Sequence, residues 1–250
     1  MVASPSKGAS LIGANAMVAL AVFVAGAASQ SSTAPAREGL AAPEQAARNE
    51  MVEQQIAARG IRDQRVLEAM RTVPRHEFVP EQLKASAYED GPLPIGRGQT
   101  ISQPYVVAAM VQTLALRGGE RVLEVGSGSG YAAAVLSLLA SEVYGIELEP
   151  ELHARSLATI KRLGYRNIQL RQGDGFVGWP EVAPFDAILI SCAAGEIPPP
   201  LWEQLREGGR LVYPRGARWR QELVAVTKTA GGSVSRTLEE VQFVPLRRTP

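Results

Sequence analysis

The rhythm of apolar and polar positions changes along the chain. Between Leu11 and Ala28 nearly every position is apolar or small, and Lys7 precedes the run. A short apolar run behind a basic residue, ending in Ala25-Gly26-Ala27, is the pattern of a secretory signal or an anchor. The same composition also suits a disordered extension. Residues 29–42, rich in Ser, Thr, Pro, Ala and Gly, read as a linker. Residues 1–42 are therefore set apart, and 43–250 are expected to form a single domain. Its first part, 43–117, reads as helices and a loop. Glu44 to Arg59 has helical spacing and is closed by Gly60; Asp63 can cap a second helix carrying Val66, Leu67 and Met70 on one face. Residues 88–103, rich in Gly and Pro, read as an irregular loop, and Pro104 opens a helix to about Leu116.

From 118 onward short apolar runs alternate with helical ones. Strands are expected at Arg121–Val125, Glu142–Glu147, Asn167–Arg171, Phe185–Ile190 and Arg210–Tyr213. Helices are expected at Tyr131–Ala140, Pro150–Leu163 and Leu201–Arg206, the last stopped by Gly208-Gly209. Apolar strands separated by helices imply a parallel sheet covered on both faces, a doubly wound α/β fold. Glu222–Thr229, a turn at Ala230-Gly231-Gly232-Ser233 and Val234–Val244 read as a closing antiparallel hairpin.

Composition narrows the chemistry. The 250 residues are 46% hydrophobic and 20% charged, ordinary for a globular protein able to bury its own core. A net charge of +1 with no dense basic patch argues against nucleic acid as the partner. One cysteine, Cys192, excludes an intrachain disulfide and a cysteine-based zinc site, and His76 and His153 are too few and too far apart to suggest zinc catalysis.

The sharpest local signal is Val122-Leu123-Glu124-Val125-Gly126-Ser127-Gly128-Ser129-Gly130-Tyr131. It lies between a strand and a helix, where doubly wound folds bind nucleotides. Its G-x-G-x-G spacing differs from the G-x-G-x-x-G of dinucleotide sites, and Glu124 would repel a pyrophosphate. A carboxylate there suits a cationic amino group, such as the one on S-adenosylmethionine, which carries no phosphate. Glu147, at the end of the next strand, can accept hydrogen bonds from ribose hydroxyls or be a solvated strand-end charge. Asp174 in Gly173-Asp174-Gly175 can meet an adenine amino group or form an Asx turn. Together they form one constellation at successive strand ends.

At these residues the sequence resembles the class I methyltransferases. A second segment, Leu93-Pro94-Ile95-Gly96-Arg97-Gly98-Gln99-Thr100-Ile101-Ser102-Gln103-Pro104-Tyr105, is similar to the one that marks protein-L-isoaspartate O-methyltransferases. Val73-Pro74-Arg75, Phe78-Val79, Pro184-Phe185-Asp186-Ala187-Ile188 and Phe243-Val244-Pro245-Leu246 extend the likeness over about residues 48–246. Arg97, where Gln or Glu is expected, and Ser127, where Thr is usual, depart from the pattern.

The resemblance implies a Rossmann-like sheet of seven strands with the last antiparallel, S-adenosylmethionine as cofactor, and methylation of the free α-carboxylate of L-isoaspartyl residues in damaged proteins and peptides. It assigns cofactor contacts to Glu124, Gly126, Ser127, Gly128, Gly130, Glu147, Asp174 and Gly175, and catalysis to Ser102, with Gln99, Thr100, Ser102 and Val244 on the substrate. Ser102 can equally cap the helix at Pro104. No metal or nucleic acid is expected, and the protein is expected to be a monomer. For location the two signals conflict: the cofactor points to the cytoplasm, which is the expected compartment, and residues 7–28 to export or a membrane anchor.

Other readings stay open. A methyltransferase of a small molecule or RNA would keep the cofactor site, although Ser191-Cys192-Ala193-Ala194 lacks the Asn/Asp-Pro-Pro-aromatic pattern of amino-group methyltransferases. A nicotinamide-dependent dehydrogenase is disfavoured by the glycine spacing, and a non-catalytic cofactor-binding protein by the presence of Ser102. Cys192 has no adjacent base and reads as a small apolar filler.

Overall fold

The computed structural model describes residues 42–217 and 220–248, so the signal-like stretch lies outside the described residues. The chain opens with α1 (Ala42–Glu50), which passes into a wider π-helical segment, Met51–Ala57, before α2 (Gln64–Thr72). The single helix expected from Glu44 to Arg59 thus changes winding at Met51, and the inward residues Met51, Val52 and Ile56 are buried. Asp63 caps α2 as expected, its Oδ1 accepting from the Arg65 N–H at 2.9 Å.

The segment expected as an irregular loop contains a small antiparallel hairpin, β1 (Leu93–Gly96) and β2 (Gln99–Ile101), followed by α3 (Pro104–Leu114). Gly96, Arg97 and Gly98 turn it, with φ of 95°, 55° and 70°. Glycine is at ease there, while Arg97 is an uncommon occupant.

The alternation beyond 118 forms β3 (Arg121–Val125), α4 (Tyr131–Ser137), β4 (Glu142–Glu147), α5 (Pro150–Arg162), β5 (Ile168–Gln172), β6 (Phe185–Ile190), α6 (Pro199–Gln204), β7 (Leu205–Ala217), β8 (Arg220–Thr229) and β9 (Gly232–Val241). One seven-stranded sheet has the order β5-β4-β3-β6-β7-β8-β9. The strands from β5 to β7 are parallel; β8 runs against β7, and β9 against β8. The closing hairpin is therefore present, but the reversed strand is the sixth of the sheet in sequence. The last strand turns back to the common direction, because a hairpin added at the edge reverses twice.

Another difference lies at Gly208-Gly209. These glycines do not stop a helix; they sit within β7, where the register slips between the Phe185–Leu205 and Ala187–Arg210 pairs. A Cβ on Gly209 would lie 2.8 Å from the Arg206 carbonyl oxygen and 3.0 Å from that of Asp186, so the bulge closes tightly enough to demand glycine.

Two apolar layers cover the sheet. On one face Val66, Met70, Val107, Leu136 and Ile160 from α2 to α5 pack with Val122, Val143 and Leu189. On the other, Leu123, Ile146, Phe185 and Ile190 pack with Leu201 of α6. Burial on both faces explains why these strands read as mainly apolar runs rather than as a strict alternation. The chain winds outward from β3 through β4 to β5, then returns to start again at β6 beside β3. That reversal opens a crevice at the carboxyl ends of β3 and β6, the usual ligand position in open α/β sheets.

Candidate active site

The glycine turn leaves β3 at this crevice. Gly126, Gly128 and Gly130 have φ of 79°, 53° and 85°, so each occupies a region that a side chain disfavours. The Gly126 and Ser127 N–H groups both donate to the Ile146 carbonyl oxygen, at 2.9 and 3.1 Å, which ties the turn to β4. A Cβ at Gly126 would stand 3.0 Å from Cys192 Sγ, and one at Gly130 would stand 3.3 Å from the Ser156 Cβ of α5.

Glu147 ends β4 and is only 6% exposed. Its Oε2 accepts from the Gly128 N–H at 2.7 Å and its Oε1 from the Glu149 N–H at 2.9 Å. Each carboxylate oxygen keeps a further lone pair, so the side chain is fixed and can still accept from a diol. Across the turn, Glu124 in β3 is 1% exposed. Ser191 Oγ donates to its Oε1 at 3.1 Å, while Oε2 is buried with no hydrogen-bond partner, as is Ser127 Oγ. Burial above all, and the Glu147 carboxylate, raise the Glu124 carboxyl to about 8; the Ser191 hydroxyl acts in the opposite direction.

Cavities gather most of the expected residues. One is lined by Gln99, Thr100, Gly126, Gly128, Glu147 and Gly175, and closed by the segment from Val244 to Arg247. A second, inner one is lined by Ser102, Glu124, Ser127 and Tyr131. A third is an open groove along Arg59, Ser102, Gln103 and the segment Glu239–Val244. Thr100 and Ser191 line all of them, and Ser102 lines the inner cavity and the groove. The wall at Val244 is held in place by backbone pairing: the Ala193 N–H donates to the Val244 carbonyl at 2.8 Å, and the Leu246 N–H to that of Ala193 at 2.8 Å.

Two expected residues stand apart. Gly130 lies behind the turn against α5 and lines none of these cavities. Asp174 also lines none; its Oδ1 accepts from the Phe176 N–H at 2.8 Å, the Asx-turn geometry. Its neighbour Gly175 does reach the cavity, and a Cβ there would collide with Val125 Cγ1 at 2.4 Å. Ser102 does not cap α3: Gln103 occupies that position, without a side-chain cap bond. Ser191 was not singled out from the sequence. Its signal was its place one residue beyond β6, on the crevice side of the reversal.

Cys192 is buried, and desolvation pushes its thiol far up, as an apolar filler requires. Neither histidine lines these cavities. Among the described residues no group of three or more His, Cys, Asp or Glu is placed to hold a metal ion.

The profile of the protein-L-isoaspartate(D-aspartate) O-methyltransferase family matches residues 46–249. The chain belongs to that family. Protein-L-isoaspartate O-methyltransferase 2 of Anaeromyxobacter sp. (strain Fw109-5) is 70% identical over 202 residues, 80% of this chain and 83% of that protein. The protein-L-isoaspartate O-methyltransferase of Opitutus terrae is 56% identical, over 80% of this chain and 87% of the relative. A solved protein-L-isoaspartate O-methyltransferase superposes with a TM-score of 0.73 at 30% identity, over 79% of this chain and 65% of the other. A Plasmodium falciparum structure of the same type, in complex with S-adenosyl-L-homocysteine, gives 0.70 at 29% identity, over 81% of this chain and 99% of its own.

Proposed function

We infer that this protein methylates the free α-carboxylate of L-isoaspartyl residues in damaged proteins and peptides, with S-adenosylmethionine as donor. One observation carries the mechanism. The cavity that holds the glycine turn and Glu147 meets an open groove at Thr100 and Ser191, with Ser102 beside them. The first space carries the polar groups that a nucleoside would meet, and the open groove gives an extended peptide a path to it.

The residues fit the cofactor. Glu124 Oε2 and Ser127 Oγ are buried polar atoms lacking a partner, and the turn permits close backbone approach. When bound, S-adenosylmethionine supplies a methyl group on a sulfonium, which departs as a neutral thioether once a nucleophile takes the methyl. We assign the ammonium to Glu124, the ribose to Glu147, and the wall of the cavity to Gly126, Gly128 and Gly175. Gly130 acts indirectly, by letting α4 pack on α5.

The acceptor needs no general base, because a carboxylate with a reference pKa of about 4 is already ionised at neutral pH. What it needs is placement in line with the methyl group. Ser102 donates its hydroxyl to that carboxylate, Gln99 and Thr100 shape the entrance, and Val244 lies along the peptide. Isoaspartate differs from aspartate only in where one methylene sits, so discrimination comes from geometry. The ester formed then cyclises to a succinimide, whose hydrolysis returns some normal aspartate.

The test is incubation with methyl-labelled cofactor and matched isoaspartyl and aspartyl peptides. Label should enter the first and leave the second nearly untouched. Equal labelling, or labelling only of an RNA or small molecule, would leave a methyltransferase without the repair function.

We also propose that the protein works as a cytoplasmic monomer without metal or nucleic acid. The small net charge argues against nucleic acid, and a cofactor made in the cytoplasm favours that compartment. Cell fractionation and sedimentation test it: activity in the exported fraction, or sedimentation as a dimer, overturns it.

A further inference from the structure

Ser191 occupies the junction of the cofactor cavity, the inner cavity and the groove. Its hydroxyl proton is committed: Oγ donates to Glu124 Oε1 at 3.1 Å. The bond leaves the other carboxylate oxygen, Oε2, buried and unpartnered. A hydroxyl that donates to one oxygen fixes the rotation of the carboxylate, and so fixes where the second oxygen points.

We propose that Ser191 is a positioning residue for the cofactor: by holding Glu124 Oε1 it presents Oε2 to the cofactor's ammonium, and it lessens the coupling between cofactor binding and the Glu124 proton. This rests on the assignment of Glu124 to the ammonium.

The surroundings decide the direction of the coupling. Around Glu124, the end of β4 contributes the Glu147 carboxylate, which opposes a second negative charge. From α4 come the Tyr131 phenol, itself pushed up to about 12 by burial, and the Ala133 backbone N–H, which lends weak support to the charged form. From α3 and from the end of β6 come Val107, Met110 and Leu189, all uncharged, and no lysine, arginine or histidine lines this inner cavity. With burial dominant, the carboxyl holds its proton up to about 8 in the free protein. An arriving ammonium supplies the missing opposite charge and expels that proton. Binding should therefore release close to one proton per cofactor at pH 7, and strengthen as pH rises toward 8.

The Ser191 bond favours the charged form. In Ser191→Ala the acid limb of cofactor binding should move up by about one pH unit. At pH 7 that is on the order of a tenfold loss of affinity, shrinking as pH rises. The cofactor's own amino group titrates near 8, but alike in every variant, so the displacement between variants is what is read. Ser191→Thr, which keeps the hydroxyl, should restore the wild-type limb.

Calorimetric titration of the full chain with S-adenosylmethionine, from pH 6 to 9 and in buffers of differing ionisation enthalpy, reads both effects. Proton release by the wild type needs no variant. Its absence overturns the coupling. A uniform loss of affinity across the pH range in Ser191→Ala means a merely structural role and overturns the positioning. So does an unmoved limb with reduced turnover at saturating cofactor, which would put Ser191 on the acceptor instead. Failure of Ser191→Thr to restore the limb counts against the hydroxyl. If the wild type does not bind the cofactor at all, the underlying cofactor assignment fails, which is a distinct result.

Discussion

The two ends of the reaction are built differently. On the cofactor side the turn after β3 is half-buried and pinned: Glu147 is held by backbone N–H groups at both oxygens, and Gly126 and Ser127 share one carbonyl of β4. On the acceptor side the β1–β2 hairpin is largely exposed. Thr100 is exposed, Ser102 is half-buried, and Arg97 pairs with Glu151 at the surface, its Nε 2.7 Å from Oε2. A cofactor of constant shape rewards a finished pocket, since ordering it beforehand lowers the cost of binding. A damaged protein presents many different neighbours around the same isoaspartate, so its side of the site is left open and only the carboxylate is gripped.

The sharpest way to separate the two sides is Ser102→Ala. A misplaced reacting group costs on the order of a hundredfold in rate, so isoaspartyl turnover should fall about that far while cofactor affinity stays within twofold. Steady-state kinetics with both substrates varied checks it. An equal loss on both sides would merge Ser102 with the cofactor pocket and dissolve the contrast. Glu147→Ala should do the reverse. Losing charge-assisted hydrogen bonds weakens cofactor binding by about 1–3 kcal/mol, seen in calorimetry, with the turnover of bound complex changed less. It also strands the Gly128 and Glu149 N–H groups, so the turn itself should loosen.

The same contrast governs what could be read from the sequence. The parallel sheet was legible because β3, β4 and β6 are buried on both faces and are therefore mainly apolar. The glycine turn was legible because positive φ excludes most other residues. Gly208-Gly209 misled for that very reason: a helix stop and a β-bulge ask the same freedom of the backbone, and only pairing with β6 tells them apart. The direction of β9 follows from which edge the hairpin joins, a long-range fact absent from local spacing. Ser191 carries no signature of its own. It becomes visible once the sheet order places the ends of β3 and β6 side by side. Asp174 admits both readings, because an Asx turn and a strand-end contact use the same residue between the same glycines; the turn is formed, and it leaves the contact open.

The smallest expected effects come from the one conformation the two sides share. Gly126 and Arg97 both lie at positive φ, 79° and 55°. On the cofactor side the new methyl of Gly126→Ala meets Cys192 Sγ at 3.0 Å in a packed layer. A side chain forced into this region costs roughly 1–2 kcal/mol, and the turn cannot shift without disturbing its bonds to β4. Denaturant unfolding should show that loss, and cofactor affinity should fall with it. On the acceptor side Arg97→Gly relieves a similar strain, about 1 kcal/mol. Against this, glycine enlarges the unfolded ensemble by about 0.4–1 kcal/mol, and the exposed pair with Glu151, worth about 0.2–1 kcal/mol, is lost. The terms nearly cancel, so stability should move by about 0.5 kcal/mol or less, with cofactor affinity unchanged. A large destabilisation at Arg97 would mean that the hairpin is as rigidly specified as the glycine turn, and the acceptor side would then be a finished surface that selects among damaged proteins by shape.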